Sequence, residues 1–203
     1  MNKEKEKNES ISKDKIAWLV GPPEWWQVKR DCQIKFLLER GLKPFHYLLD
    51  HGCGVLRGGI PIIDYLEEGH YYGIETDKTR IEKGVIELED SKLTHKNPTL
   101  SQNYNDIRVK FDYIWSFQVF IHLSDEIITH ELLNIKNVLK DDGVCYASVV
   151  INDSDVNGSW LEYPYVERAL SFYELHANRH NLSVNLIDYD TDNWVDMLEI
   201  RKK

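Results

Sequence analysis

The residues best suited to chemistry lie in Leu48-Leu49-Asp50-His51-Gly52-Cys53-Gly54-Val55-Leu56-Arg57-Gly58-Gly59. This run reads as an apolar strand, a glycine-rich turn and a helix start. Glycine lets the backbone turn sharply and lets a ligand approach the main chain closely. A helix start offers free N–H groups to an anion. Two ligand classes use such a loop. A dinucleotide loop would place its third glycine at position 57, where this chain has Arg57. Asp50, two residues ahead of the first glycine, is awkward beside a pyrophosphate but suits an ammonium group. S-adenosylmethionine carries an ammonium, a carboxylate and a sulfonium, and no phosphate, so the loop favours it over NAD. Glu75 closes Tyr71-Tyr72-Gly73-Ile74, 21 residues after Gly54. An acid there can accept hydrogen bonds from ribose hydroxyls.

Other residues could also do chemistry. Phe111 to Trp115 reads as a strand. Its end brings Ser116, Phe117 and Gln118 to the carboxyl edge of a sheet, where open α/β folds bind ligands. His122 follows, just ahead of the helix start at Ser124 and Asp125. It suits either a general base or a residue packed against that helix. His176 and His180 share a helix face at a spacing metals can use. No Glu follows His176 and no third ligand is evident, so no metal is expected. Asp188, Asp190, Asp192, Asp196 and Glu199 match the spacing of a calcium loop, with Asn193 at its glycine position. Only four residues follow Glu199, too few for an exit helix, so a hairpin turn is the preferred reading.

The elements that must position these groups alternate along the chain. Residues 1–14 lack apolar periodicity and read as a flexible tail. A helical pattern runs from Lys15 to Gly41, interrupted at Gly21-Pro22-Pro23. Strands follow at Tyr47–Leu49, Tyr71–Ile74, near Leu100, at Phe111–Trp115 and at Val144–Ile151. Helices are expected at Gly58–Glu68, Asp77–Glu89, Asp125–Leu139 and Ser171–His180, with Asp141-Asp142-Gly143 as a stop. This alternation predicts a doubly wound, mostly parallel sheet with helices on both faces. Ser183–Ile187 and Trp194–Ile200 should close the chain as an antiparallel hairpin. One domain is expected over 15–203, with a helical lid segment at 15–44 and a core at 45–203.

Composition limits the partners. The 203 residues hold 25 Lys+Arg against 34 Asp+Glu, a net charge of -9, which repels polyphosphate and weighs against nucleic acid. No apolar run approaches the ~18 residues of a membrane span, and the Lys/Glu/Asn-rich start does not resemble a secretory signal. Cys32, Cys53 and Cys145 form no CxxC pair and fit a reducing cytoplasm.

The order of motifs resembles the class I S-adenosylmethionine-dependent methyltransferases over nearly the whole chain after the tail. Their first motif is an apolar strand, an acid and GxGxG. Here it reads Leu49-Asp50-His51-Gly52-Cys53-Gly54, with Leu56 at the third glycine. The run Gly52 to Gly59, the strand Tyr71 to Glu75 and Val119-Phe120-Ile121-His122-Leu123 resemble a bacterial subset. The resemblance implies a Rossmann-like sheet of seven strands. It implies that Gly52, Cys53 and Gly54 line the methionine end of the cofactor. Asp50 would meet its amino group and Glu75 its ribose. Arg57 would face its carboxylate or pin the loop. Asn103, Asn105 and Asp106 compete for the adenine, and Ser116, Phe117 and Gln118 would lie beside the cofactor. The implied activity is methyl transfer to an oxygen or nitrogen of a small-molecule acceptor, a sugar or another metabolite. His122 would be the candidate base, although alignment alone accelerates such a transfer. The motifs of amino-methylating DNA enzymes are missing: no [DNS]PP[FYW] follows the fourth strand, and Cys32 lies in Asp31-Cys32-Gln33 rather than PCQ. Trp18, Trp25 and Trp26 suggest a lid, and the loop Asn152 to Tyr165 is a further acceptor candidate. A cofactor-binding regulator without turnover and a nicotinamide oxidoreductase are the alternatives.

Overall fold

The computed structural model describes residues 23–152, 166–189 and 195–203. Trp18, residues 153–165 of the acceptor-candidate segment, and residues 190–194, where the hairpin turn is expected, lie outside the described residues. Seven strands form one sheet in the order β3-β2-β1-β4-β5-β7-β6. They are β1 (Leu48–His51), β2 (Tyr71–Ile74), β3 (Thr99–Ser101), β4 (Phe111–Ser116), β5 (Leu139–Val149), β6 (Leu182–Ile187) and β7 (Asp196–Lys202). The pairs β1/β4, β2/β3 and β4/β5 are parallel, and β7 runs antiparallel to β5 and β6. This is the doubly wound Rossmann-like arrangement that strand–helix alternation predicts, with the expected antiparallel hairpin. By compactness the chain divides into two units, Met1–Phe45 with Cys53–Asn103, and His46–Gly52 with Tyr104–Lys203.

In the first unit, α1 (Trp26–Glu39) follows a 3₁₀ turn at Pro23–Trp25. Its end is a Schellman motif: Leu42 N–H donates to Leu37 O and Gly41 N–H to Leu38 O, with Gly41 at φ +90°. Gly41 is thus the stop its position suggests. The buried face of α1 is unusual, because Lys29 and Gln33 share it with Phe36 and Leu37. Helices α2 (Gly59–Tyr65) and α3 (Lys78–Asp90) complete the unit. Asp77 caps α3, its carboxylate accepting from Thr79 N–H at 2.8 Å.

In the second unit, α4 (Asp125–Val138) buries Ile128, Leu132 and Ile135, which recur at helix spacing. Ser124 caps it, and acids occupy its first turn. Helix α5 (Leu170–Asn178) buries Tyr173 and Ala177. The expected stop at Asp141-Asp142-Gly143 is corrected here. The helix ends at Val138, and β5 begins at once at Leu139. Leu139 pairs with Phe111 and Val144 with Tyr113, so Lys140 to Gly143 bulge out of the ladder. An added Cβ at Gly143 would lie 2.7 Å from Phe111 O, so a side chain does not fit there. Asp141 and Asp142 project from the bulge into solvent.

Candidate active site

The first unit holds the loop after Cys53. Cys53 N–H donates to Ile74 O, which fixes the loop to the end of β2, and Leu56 N–H donates to Cys53 O in a tight turn. Gly54 sits at φ +56° and Leu56 at φ +62°. The third glycine of the motif that this loop resembles is therefore replaced in residue type, while the backbone here is left-handed. That conformation costs a leucine about 1–3 kcal/mol. Burial offsets it: Leu56 is fully buried, and the Cβ positions at Gly59 and Gly84 lie 2.9 and 3.1 Å from its side chain. Helix α2 starts only at Gly59, and Ile60 N–H is already bonded to Leu56 O. The free amides expected at the helix start are therefore not built directly onto Gly54.

Arg57 is buried. Lys29 of α1 is buried too, its Nζ 4.8 Å from the centroid of the Trp25 ring. Burial pushes the Lys29 ammonium down to about 8; the Arg57 charge adds to that shift and Cys32 opposes it. Gln33, one turn further on, donates to Lys29 O at 2.6 Å and fills the space that a Cβ on Gly58 would need. Sequence reasoning missed Lys29; its helical spacing from Gln33, Phe36 and Leu37 was the available signal.

Glu75 directly follows β2 and is buried. One carboxylate oxygen accepts from Asp77 N–H at 2.9 Å, and the other lies 3.7 Å from the Arg80 guanidinium. Its backbone N–H donates to Ser101 O, carrying the β2/β3 ladder one residue further. Asn103 is exposed; its carbonyl accepts from the Ser101 hydroxyl at 2.9 Å.

The second unit holds the ends of β1 and β4. Asp50 is buried and stands opposite Trp115 in the ladder. Gly52 sits at φ +75°, and an added Cβ would lie 2.3 Å from Val119 Cγ2. Phe117 stacks on Trp115 with centroids 5.5 Å apart. Gln118 adopts φ +57°, and its N–H donates to the Ser148 hydroxyl at 2.6 Å. Strained backbone of this kind concentrates at ligand sites. His122 is half-buried at the end of a 3₁₀ turn over Phe120–His122, its N–H bonded to Val119 O. Asp106 is exposed in the turn Tyr104–Asp106.

A cluster unforeseen in the sequence joins these strand ends. His51 Nδ1 is 2.9 Å from the Ser116 hydroxyl, and His51 Nε2 is 3.2 Å from Glu131 Oε2. The Tyr104 hydroxyl donates to the same Glu131 oxygen at 3.0 Å. Burial raises the Glu131 carboxyl, but His51 and Tyr104 outweigh it, and the carboxyl stays below its usual range. Burial and the Glu131 charge hold the Tyr104 phenol well above its own. Glu131 stands three residues after Ile128 and four before Ile135, an acid on an apolar stripe, and that was its sequence signal.

Among the described residues no His, Cys, Asp and Glu side chains gather into a metal-binding group. His176 is held by Thr129, its Nδ1 2.6 Å from the hydroxyl. No helix among the described residues is long and apolar enough to cross a membrane.

Residues 49–145 match the family model described as a methyltransferase domain. That stretch runs from Leu49, through the glycine loop, Glu75 and Ser116, to Cys145, just under half of the chain. Solved structures share its fold. The magnesium protoporphyrin IX methyltransferase of Synechocystis, with SAM bound, is 15% identical. The match covers 89% of this chain and 81% of that one, with a TM-score of 0.66. An S-adenosylmethionine-dependent methyltransferase from Clostridium acetobutylicum is 14% identical over 97% and 98% of the two chains, also at 0.66. The mitomycin 7-O-methyltransferase is 15% identical over 87% of this chain and 54% of its own, at 0.65.

Proposed function

We propose that this protein moves the methyl group of S-adenosylmethionine to an oxygen or nitrogen of a small-molecule acceptor and releases S-adenosylhomocysteine. The observation that carries this reading is the methyltransferase-domain match, which spans both Asp50 with its glycine loop and the buried Glu75. The side chains fit the cofactor by charge. Two buried carboxylates, Asp50 and Glu75, suit an ammonium and a pair of ribose hydroxyls, and would repel a pyrophosphate. Arg57 supplies a cation for the carboxylate or holds the loop. Gly52, Cys53 and Gly54 let the methionine end lie against the main chain, and Asn103 or Asp106 would bond the adenine. Ser116, Phe117 and Gln118 would flank the transferring methyl group, and His122 is the candidate base on the acceptor.

When bound, the cofactor supplies an electrophilic methyl on a positively charged sulfur. The protein then needs to align the acceptor with that carbon and exclude water. Two of the structural neighbours are named for small organic acceptors, a porphyrin and mitomycin, which supports an acceptor of that size. The test is calorimetric titration with S-adenosylhomocysteine, with NAD in parallel. Micromolar binding of the first alone is expected, weakened at least tenfold by Asp50→Ala and by Glu75→Ala. Binding of NAD alone, or of neither, overturns the reading.

A further inference from the structure

In the second unit the sheet ends at β6, and no strand among the described residues pairs with its outer side. Lys203 N–H donates to Asn181 O, and the facing pairs continue from Leu182 with Lys202 to Ile187 with Met197. Facing pairs in an antiparallel ladder alternate between bonded and unbonded. Ser183, Asn185 and Ile187 therefore direct their backbone groups to β7, while Leu182, Val184 and Leu186 turn theirs outward. Such an edge is a template for another strand unless charge, proline or brevity blunts it. β6 is 6 residues long and contains no charge and no proline. Its three outward residues also share one face of the sheet. On that face a groove runs between α5 and the edge, lined by Leu175 and Asn178 of α5 together with Leu182, Val184 and Lys203. Two large apolar side chains stand in solvent here, Leu175 at 55% exposure and Leu186 at 44%. Leu186 lies two residues past Val184, outside the groove.

We propose that a second copy of this chain pairs with this edge, β6 against β6, about a two-fold axis that crosses the sheet at Val184. A two-fold axis perpendicular to the sheet keeps equivalent faces on the same side, so outward residues meet outward residues. Centred on Val184, that residue meets its own copy, and Leu182 of each chain meets Leu186 of the other. Each such facing pair exchanges two N–H···O bonds. The partner's Leu186 then enters the groove beside Leu175, so a side chain that lies outside the groove on its own copy fills it on the other. On the opposite face Ser183 meets the partner's Asn185, polar against polar. The two copies of α5 come side by side on the apolar face. Charge agrees at the strand ends: the register brings the exposed Asp188 of one copy level with His180 and beside the exposed Arg179 of the other. The surface around the edge is balanced despite the acidic chain, with Glu174 and Asp188 against Arg179 and Lys203. A strand from an unrelated protein could use the same backbone groups, but the match of β6 with itself selects a second copy. The dimer does not depend on the methyl-transfer reading.

The test is sedimentation equilibrium on the full chain from about 1 to 100 µM, where a monomer–dimer equilibrium is expected. Leu186→Lys puts a charge into the groove and should weaken dimerisation about tenfold or more. Val184→Pro removes the central N–H of each copy and should do the same. Both should keep the wild-type circular dichroism; if Val184→Pro does not fold, Leu186→Lys, at an exposed position, still decides. Amide hydrogen exchange adds a site-specific readout. The Val184 and Leu186 amides should be protected in the dimer and should exchange freely on dilution and in Leu186→Lys, while those of Ser183 and Asn185 stay protected throughout. A chain that remains monomeric at about 100 µM overturns the proposal. So does a dimer that Leu186→Lys leaves intact. Protection of the Val184 and Leu186 amides in the monomer overturns it as well, because another segment of the same chain would then cover β6.

Discussion

At the scale of single residues, two positions turn geometry into measurable energy. Gly52 needs its hydrogen for two reasons: its φ of +75° and the approach of Val119 Cγ2 to within 2.3 Å of a notional Cβ. Val119 is β-branched and cannot swing aside cheaply. Gly52→Ala should therefore destabilise the protein by about 2–4 kcal/mol, from left-handed strain plus overpacking. Urea unfolding checks this, and Gly52→Ala with Val119→Ala should recover only the steric part. Glu131 makes a pH prediction. Its carboxyl is held below the usual range, so the unfolded chain binds more protons than the folded one in acid. The stabilisation it provides is present above the ordinary carboxylate range, near pH 4.5, and is lost as pH falls toward its lower folded value. The acid limb of the stability profile should be steeper in the wild type than in Glu131→Gln; coincident limbs would show that this pair does not contribute.

At the scale of elements, α1 is held to the glycine loop through Lys29 and Gln33. Burial and Arg57 push the Lys29 ammonium down to about 8 from an ordinary 10.5, so between those values the folded state binds fewer protons than the unfolded chain. Stability should therefore rise with pH across that window by this contribution. The wild-type minus Lys29→Met difference isolates it, because buried Tyr104 and Tyr173, raised by burial, act in the opposite direction. A flat difference from pH 8 to 10.5 would mean that Lys29 is hydrated in solution. The same helix shows where sequence reading stops. Strands such as Phe111–Ser116 and helices such as Asp125–Val138 carry their period openly, and Gly41 marks its helix end by φ. Asp50, the glycines and Glu75 were legible because a strand-to-turn switch frames them. The buried face of α1 was not, because half of it is polar. The pairing of His51 with Glu131 joins residues far apart in sequence, so local pattern carries no trace of it. Asp141-Asp142-Gly143 has the composition of a turn, and only the close approach of Phe111 O makes it a bulge.

At the scale of the whole molecule, an acidic chain with a net charge of -9 can still bind a cofactor whose carboxylate meets a local cation, because Debye screening confines the repulsion to about 8 Å at physiological salt. Binding to the folded state alone has a distinctive concentration law. The added stability is RT ln(1 + [L]/Kd), about 2.7 kcal/mol at a hundredfold excess over Kd, and each further tenfold adds about 1.4 kcal/mol. For a chain of this size each kcal/mol moves Tm by about 2–4 °C. S-adenosylhomocysteine should thus raise Tm by roughly 5–11 °C at a hundredfold excess. The rise should continue logarithmically beyond saturation. A general solvent effect would instead grow linearly with concentration, and NAD at the same concentrations would match it. In Glu75→Ala the logarithmic curve should keep its slope and shift to higher concentration by the factor that calorimetry gives for Kd. A curve that fails to shift would show that the stabilising ligand sits away from the end of β2, and Glu75 would then lose its assignment to the ribose.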